Sequence, residues 1–364
     1  LAVIQEQMKF FKEEGMSIDA YIRGGDLSFV SHKITQIFKI LFPNLIEEPC
    51  VYSRGKGDYR ILTTPKELLN SLEIYNPQTN KIVHFTSLFK LKKILETNTF
   101  RLYNAHNSNY KTEFANWLDD FDIDADKLKQ KTYIGSFCDS KILDDNEKAS
   151  VMWNEYGEQG KGVVIKFEIA KDLNTKIFED NFMGEVTDVF LGKVSYKPID
   201  KQRLKRFESE FQDYQENYKF YTNVLDYIYP FAYMTKKPKF EFENELRLFK
   251  ANHWFNEKHT EMVACDKHDD DCDCEVKYYK VPLFKKEEGK VELVISEIQF
   301  GPNLSDYDYE KQKNEIENIF RETKINGDYP IPFFSRSTIS ETSYNEAIER
   351  HKQKSQIKET ATSC

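Results

Sequence analysis

Apolar positions along the chain follow two rhythms. Alternating spacings of four and three link Phe207, Phe211, Tyr214, Tyr218, Tyr221, Leu225 and Ile228, which predicts a long helix over 204–228 with one packing stripe. That stripe suits core packing, with a seam against another helix or a second copy as the alternative. Strict alternation and β-branched runs predict strands at 81–85, 100–103, 133–138, 163–168, 192–196, 277–283 and 291–300. Ser87 is placed to cap a helix reaching Thr97, and 149–156 reads as a helix stopped by Gly157. Gly160-Lys161-Gly162 turns the chain into a strand, and Gly301-Pro302 ends the sheet.

Upstream, Gln5 to Lys12 and the segment opened by Thr64-Pro65-Lys66-Glu67 read as helices, the latter through a capping box with Pro in the first turn. The turn cluster Asn76-Pro77-Gln78-Thr79-Asn80 is the expected boundary. It divides a mostly helical accessory piece, 1–80, from a main region, 81–335. A polar tail, 336–364, follows with a helix over 344–352 and is expected to be loosely held.

Composition narrows the partners more than the chemistry. A formal net charge of −9 gives no global basic field to draw nucleic acid or an anionic membrane. No apolar run is long enough to span a bilayer, and the first residues lack a signal-peptide arrangement. Six cysteines scattered over 364 residues do not form a disulfide framework, so a reducing cytoplasm is expected. The 28 Phe and 21 Tyr predict a core built on rings.

The densest chemistry lies in Lys239-Phe240-Glu241-Phe242-Glu243-Asn244-Glu245-Leu246-Arg247-Leu248-Phe249. Read as a strand, it puts Glu241, Glu243, Glu245 and Arg247 on one face, with like charges about 7 Å apart. A solvated edge carries such a row at little cost. A catalytic cleft uses the same arrangement to place a proton acceptor beside an anion-binding guanidinium.

Other segments add candidates. His84 and Thr86 share a face where a strand enters a helix, a junction suited to a polar ligand and equally to a structural histidine. Ser136 lies on the next predicted strand but one. Trp153 and Tyr156, three apart on a helix, form an aromatic lid or a ligand platform. Cys265, His268, Cys272 and Cys274 supply soft ligands that suit a structural zinc, although not in a standard finger spacing.

These segments together resemble a widespread bacterial family classed as a domain of unknown function. The matching motifs are His84 to Ser87, Asn109 with Glu113, Ser136-Phe137, Met152-Trp153-x-x-Tyr156, Gly162, Glu243-x-Glu245-x-Arg247 and Ile298-x-x-Gly301-Pro302. Two departures occur: Tyr110-Lys111 replaces an Asp-Pro, and Cys138 replaces a second Ser. The motif order is similar to that of ADP-ribosyltransferase-like folds, a likeness at the level of fold. The resemblance implies an α+β protein with a mixed, mainly antiparallel split sheet flanked by helices.

By the same resemblance, His84 and Thr86 hold the NAD ribose, and Tyr103 or Tyr110 stacks on nicotinamide. Arg101 or Arg247 neutralises the pyrophosphate, with Asn109, Ser136, Trp153 and Tyr156 lining the cofactor. Glu245 is then the catalytic carboxylate and Glu243 its support, because a carboxylate stabilises the oxocarbenium-like state of glycosidic cleavage. The expected function is NAD-consuming: ADP-ribosyl transfer to a macromolecular acceptor, or NAD hydrolysis. The role is that of an intracellular toxin or antiphage effector with a cognate antitoxin or regulatory partner. Two alternatives stand beside it. One is a non-enzymatic ligand-sensing or protein-binding module. The other is a nuclease toxin holding Mg²⁺ on Glu241, Glu243 and Glu245.

Overall fold

The computed structural model describes residues 26–41, 50–53, 59–62, 81–104, 132–169, 190–196, 200–218, 234–251, 263–267, 275–283, 293–323 and 330–362. In chain order these form α1 (Asp26–Leu41), β1 (Cys50–Ser53), β2 (Tyr59–Leu62), β3 (Lys81–Thr86), α2 (Leu88–Thr97), β4 (Thr99–Asn104) and β5 (Thr132–Asp139). There follow α3 (Asn146–Tyr156), β6 (Val163–Ile169), β7 (Phe190–Lys193), α4 (Lys201–Tyr218), β8 (Glu245–Ala251) and β9 (Val263–Lys267). The last are β10 (Glu275–Pro282), β11 (Leu293–Phe300), α5 (Asp306–Thr323), β12 (Phe333–Arg336) and α6 (Glu341–Thr362).

The chain divides into two compact units. One comprises Leu1–Asn76 with Lys197–Thr235, and the other Pro77–Tyr196 with Lys236–Cys364. The first unit thus recruits a stretch that the sequence reading had placed in the main region. In it, α1 packs on α4: the Phe38 ring meets Phe207 and Phe211 at centroid distances of 5.6 and 6.5 Å. Phe207 and Phe211 of the predicted aromatic stripe therefore pack helix against helix within one chain. Besides helices, this unit contains the antiparallel hairpin of β1 and β2. The expected helices at Gln5–Lys12 and after Thr64 lie outside the described residues, as does 219–228 of the long helix.

The second unit is built on a ten-stranded sheet of described strands. Its pairings are antiparallel except for β12 beside β11. The architecture is α+β with a mixed, mainly antiparallel sheet. β5 is the branch point. β8 pairs along one of its edges, from Thr132↔Ala251 to Cys138↔Glu245. The other edge is shared: β3 pairs at Cys138 and Asp139, whereas β4 pairs at Tyr133 and Ile134. Between those contacts the Ser136 carbonyl is left to a side chain, and His84 Nδ1 donates to it at 2.8 Å. The imidazole thus satisfies a backbone acceptor that a continuous ladder would have covered.

One face of the sheet carries Val83, Phe85, Cys138 and Val164, packed under Trp153 and Met152 of α3 and Tyr344 and Ile348 of α6. Trp153 is wholly buried and meets Phe85 edge-on at 5.2 Å. The opposite face carries a ring cluster of Phe100, Phe137, Phe167 and His84. Helix α2 buries Leu91, Ile94 and Leu95, and its start is capped by the Ser87 hydroxyl accepting from the Lys90 amide at 3.0 Å.

The tail expected to be loose is a helix that buries Tyr344, Ala347 and Ile348. Those positions, spaced i, i+3 and i+4, make one apolar helix face against α3. The turn after α3 holds Glu158, Gln159 and Gly160 at φ 50°, 55° and 82°. A left-handed residue other than Gly costs about 1–2 kcal/mol, and here the turn is locked by its neighbours. The Gly162 amide donates to Gly157 O at 2.9 Å and the Gly301 amide to Gly162 O at 3.0 Å.

Candidate functional site

Residues 239–244 are not strand, which corrects the alternation read from the sequence. Pro238–Glu243 is a 3-10 turn with Pro at its start, closed by Asn244 in the left-handed conformation at φ 44°. The strand begins only at Glu245. Glu241 is consequently exposed, while Glu243 and Glu245 turn inward from different backbone geometries.

Both inward carboxylates meet one ammonium. Lys236 Nζ donates to Glu243 Oε2 at 2.6 Å and to Glu245 Oε2 at 3.3 Å. Arg247 grips Glu245 from the other side, Nε to Oε1 at 2.7 Å and Nη2 to Oε2 at 3.0 Å. Lys236, Glu243, Glu245 and Arg247 are 5%, 3%, 2% and 0% exposed. Their formal charges cancel, and that offsets what burying each alone would cost. Tyr156 donates its hydroxyl to Glu243 Oε1 at 2.8 Å. The Tyr196 hydroxyl accepts the Glu245 amide at 2.8 Å.

The two acids are tuned in opposite directions. Burial pushes Glu243 up, and the Glu245 charge adds to that against the opposing Lys236. Burial acts the same way on Glu245, but the Arg247 guanidinium and Lys236 ammonium outweigh it, with help from the Ser136 hydroxyl, and hold it below the usual carboxylate range. Cys138, opposite Glu245 in register, has its thiol pushed up by burial and then by the two glutamate charges. Divergent environments for neighbouring carboxylates are how acid and base roles are separated.

Sheet register places the remaining candidates. Val83, Cys138 and Glu245 form one cross-strand row and share a face. His84 and Thr86 follow Val83 by one and three positions, so they belong to the opposite face, where the imidazole packs with Phe100 and Phe137. The sheet stands between His84 and Glu245, and the shared cavity expected from the sequence does not join them. Burial also lowers the His84 pKa to about 4, so the ring is neutral at physiological pH.

Ser136 and Arg247 pair directly on the Glu245 face. Arg101 and Tyr103 lie on the corresponding side of β4, opposite Lys280 and Tyr278, with the Arg101 guanidinium 4.5 Å from the Tyr278 ring centre. Trp153 is wholly buried and packs on the sheet against Phe85. Asn109 and Tyr110 lie outside the described residues, as do His268, Cys272 and Cys274, while Cys265 sits on β9. Lys236 occupies the place between Glu243 and Glu245 where the nuclease reading needs a metal, and Glu241 points elsewhere. Among the described residues, no three His, Cys, Asp or Glu side chains gather as a metal site.

Sequence reasoning missed Lys236 and Tyr196. Lys236 lies in a Lys-Lys-Pro-Lys run that reads as solvated, and Tyr196 follows the strand end without any motif. Residues 152–248 match the family model described as a protein of unknown function, DUF2971. The matched stretch holds Tyr156, Tyr196, Lys236, Glu243, Glu245 and Arg247, and stops short of His84. No curated protein and no solved structure matches the chain. No helix among the described residues is long and apolar enough to cross a membrane.

Proposed function

We propose that this chain is an NAD-consuming enzyme, an NAD glycohydrolase or ADP-ribosyltransferase, whose working groups are Glu243 and Glu245. The supporting observation is the pair of buried carboxylates on one ammonium, with Glu243 driven toward the protonated form and Glu245 held as an anion. Glu243 then handles the proton of the ribose hydroxyl or the acceptor, while Glu245 stabilises the positive charge that develops as the nicotinamide–ribose bond breaks. Lys236 and Arg247 fix the two carboxylates. NAD as substrate comes from the motif resemblance, as does the ADP-ribosyltransferase-like fold. His84 and Thr86 are left out of this site, since they face the other way. The toxin or antiphage role in the cytoplasm, and a cognate partner, belong to the same proposal.

Nicotinamide release from NAD, followed by mass spectrometry together with ADP-ribose attached to protein or nucleic acid in cell extract, tests the reading. Turnover by wild type that falls at least about 100-fold in Glu243→Gln, a typical loss for a general acid–base group, supports it. Absence of turnover by the intact protein in extract rejects it.

A second reading, a ligand-sensing or protein-binding module, is favoured by the sealing of Glu245 at 2% exposure between two cations. In that case the cluster pins Pro238–Glu243 and β8 to β5. Calorimetry showing NAD binding that neither glutamate variant alters, with no product formed, selects it.

A further inference from the structure

We propose that Tyr156 is the positioning residue for Glu243, its hydroxyl holding one oxygen of the buried carboxylate from a partly exposed ring. This deepens the proposed function and rests on its choice of Glu243, but its test does not need turnover.

The geometry is asymmetric. Glu243 is 3% exposed, whereas Tyr156, whose hydroxyl reaches its Oε1 at 2.8 Å, is 39% exposed. Oε2 belongs to Lys236, so Tyr156 and Lys236 between them address both oxygens and fix the carboxylate plane. The ring is thus partly at the surface while its polar tip is committed to a buried acid.

The placement of Tyr156 is itself built. It is the last residue of α3, and the left-handed run Glu158–Gly160 after it fixes where the helix stops. Gly157 has no room for a Cβ against the Trp153 ring, and Gly162 has none against the Thr86 carbonyl. Backbone held in such conformations recurs where a side chain must be aimed.

Several groups face Glu243. Lys236 precedes its turn, Glu245 projects from β8 with Arg247 bound to it, Cys138 projects from β5, and Tyr196 follows β7. His351 of α6 packs on the adjacent Phe242 ring at 4.9 Å. Unlike these, the Tyr156 hydroxyl can be deleted without removing a charge or disturbing a buried ring. A hydroxyl donating to the ionised carboxylate favours that form, so its removal makes Glu243 hold its proton to higher pH.

The experiment is a ¹³C NMR titration of the glutamate side-chain carboxyls in wild type and Tyr156→Phe, with Glu243→Gln assigning the signal. The expected result is a Glu243 midpoint higher by about one pH unit, a tenfold change in its ionisation constant. Tyr156→Leu, which also removes the ring, should shift it in the same direction. Identical midpoints in folded wild type and Tyr156→Phe overturn the assignment whatever the turnover. A shifted midpoint in a protein that never releases nicotinamide leaves Tyr156 in this role and overturns the NAD reading instead.

Discussion

Arg247 keeps its charge with none of its side chain exposed, because Glu245 accepts from it at two nitrogens. Replacing it by Met leaves the buried Glu245 with Lys236 as its remaining cation and the Ser136 hydroxyl. Arg247→Met should lose about 3–5 kcal/mol in urea unfolding, whereas the double variant Glu245→Leu/Arg247→Met should recover much of it. Equal losses in both would mean that charge pairing is not what holds this point. His84 offers a pH test. Its folded pKa of about 4 lies below the ordinary 6.5, so on acidification the unfolded chain takes up a proton that the folded one declines. Stability should therefore fall between pH 6.5 and about 4, by on the order of 3 kcal/mol, and level off below. The non-titrating His84→Phe should fall less over that window, and parallel curves would refute the assignment. The residue types of this site were legible in the sequence: Glu243, Glu245, Arg247, Ser136 and Tyr156 do meet. What failed was the side on which His84 points, because a strand's parity relative to a distant strand is set by pairing register and leaves no local mark.

Helix α6 separates surface charge from packing. Lys354 and Arg350 reach Glu147 on α3, but their side chains are 65% and 49% exposed. Ile348 and Tyr344, in contrast, are buried in the α3 core. Ile348→Ala should cost about 2–3 kcal/mol and Lys354→Ala less than about 1 kcal/mol, measured by thermal unfolding. A larger loss from Lys354→Ala would reverse that ranking. At the corner before β6, a methyl at Gly162 would strike the Thr86 carbonyl, backbone against backbone. Gly162→Ala should cost about 3 kcal/mol by overpacking, and a wild-type midpoint would show that the corner yields. The strands that read correctly, β3 to β6, β10 and β11, are apolar or alternating runs bounded by turns. The acidic segment misled because Phe240, Glu241, Phe242 and Glu243 alternate by chance on a 3-10 turn. Pro238 and Asn244, a first-turn proline and a left-handed cap, were the signals against a strand. The spacing of Tyr344, Ala347 and Ile348 likewise marked a packing face within a stretch whose overall polarity suggested a tail.

At the scale of the whole molecule, the second unit releases its chain after Tyr196 and regains it at Lys236. The Lys236 amide donates to Ser195 O at 2.9 Å, so the two ends lie side by side. Residues 77–364 with 197–235 replaced by a short Gly-Ser linker should therefore unfold in one cooperative transition, as insertions between close ends allow. Circular dichroism without a sigmoidal melt would count against the second unit standing alone. The same interleaving governs assembly on the ribosome. Residues 1–76 emerge before β3 to β7, yet the rest of their unit, 197–235, is made only after them. The second unit in turn waits for β8, which delivers Glu245. Translation thus holds two half-finished bodies at once, and a nascent chain truncated before residue 236 carries none of Lys236, Glu243, Glu245 or Arg247.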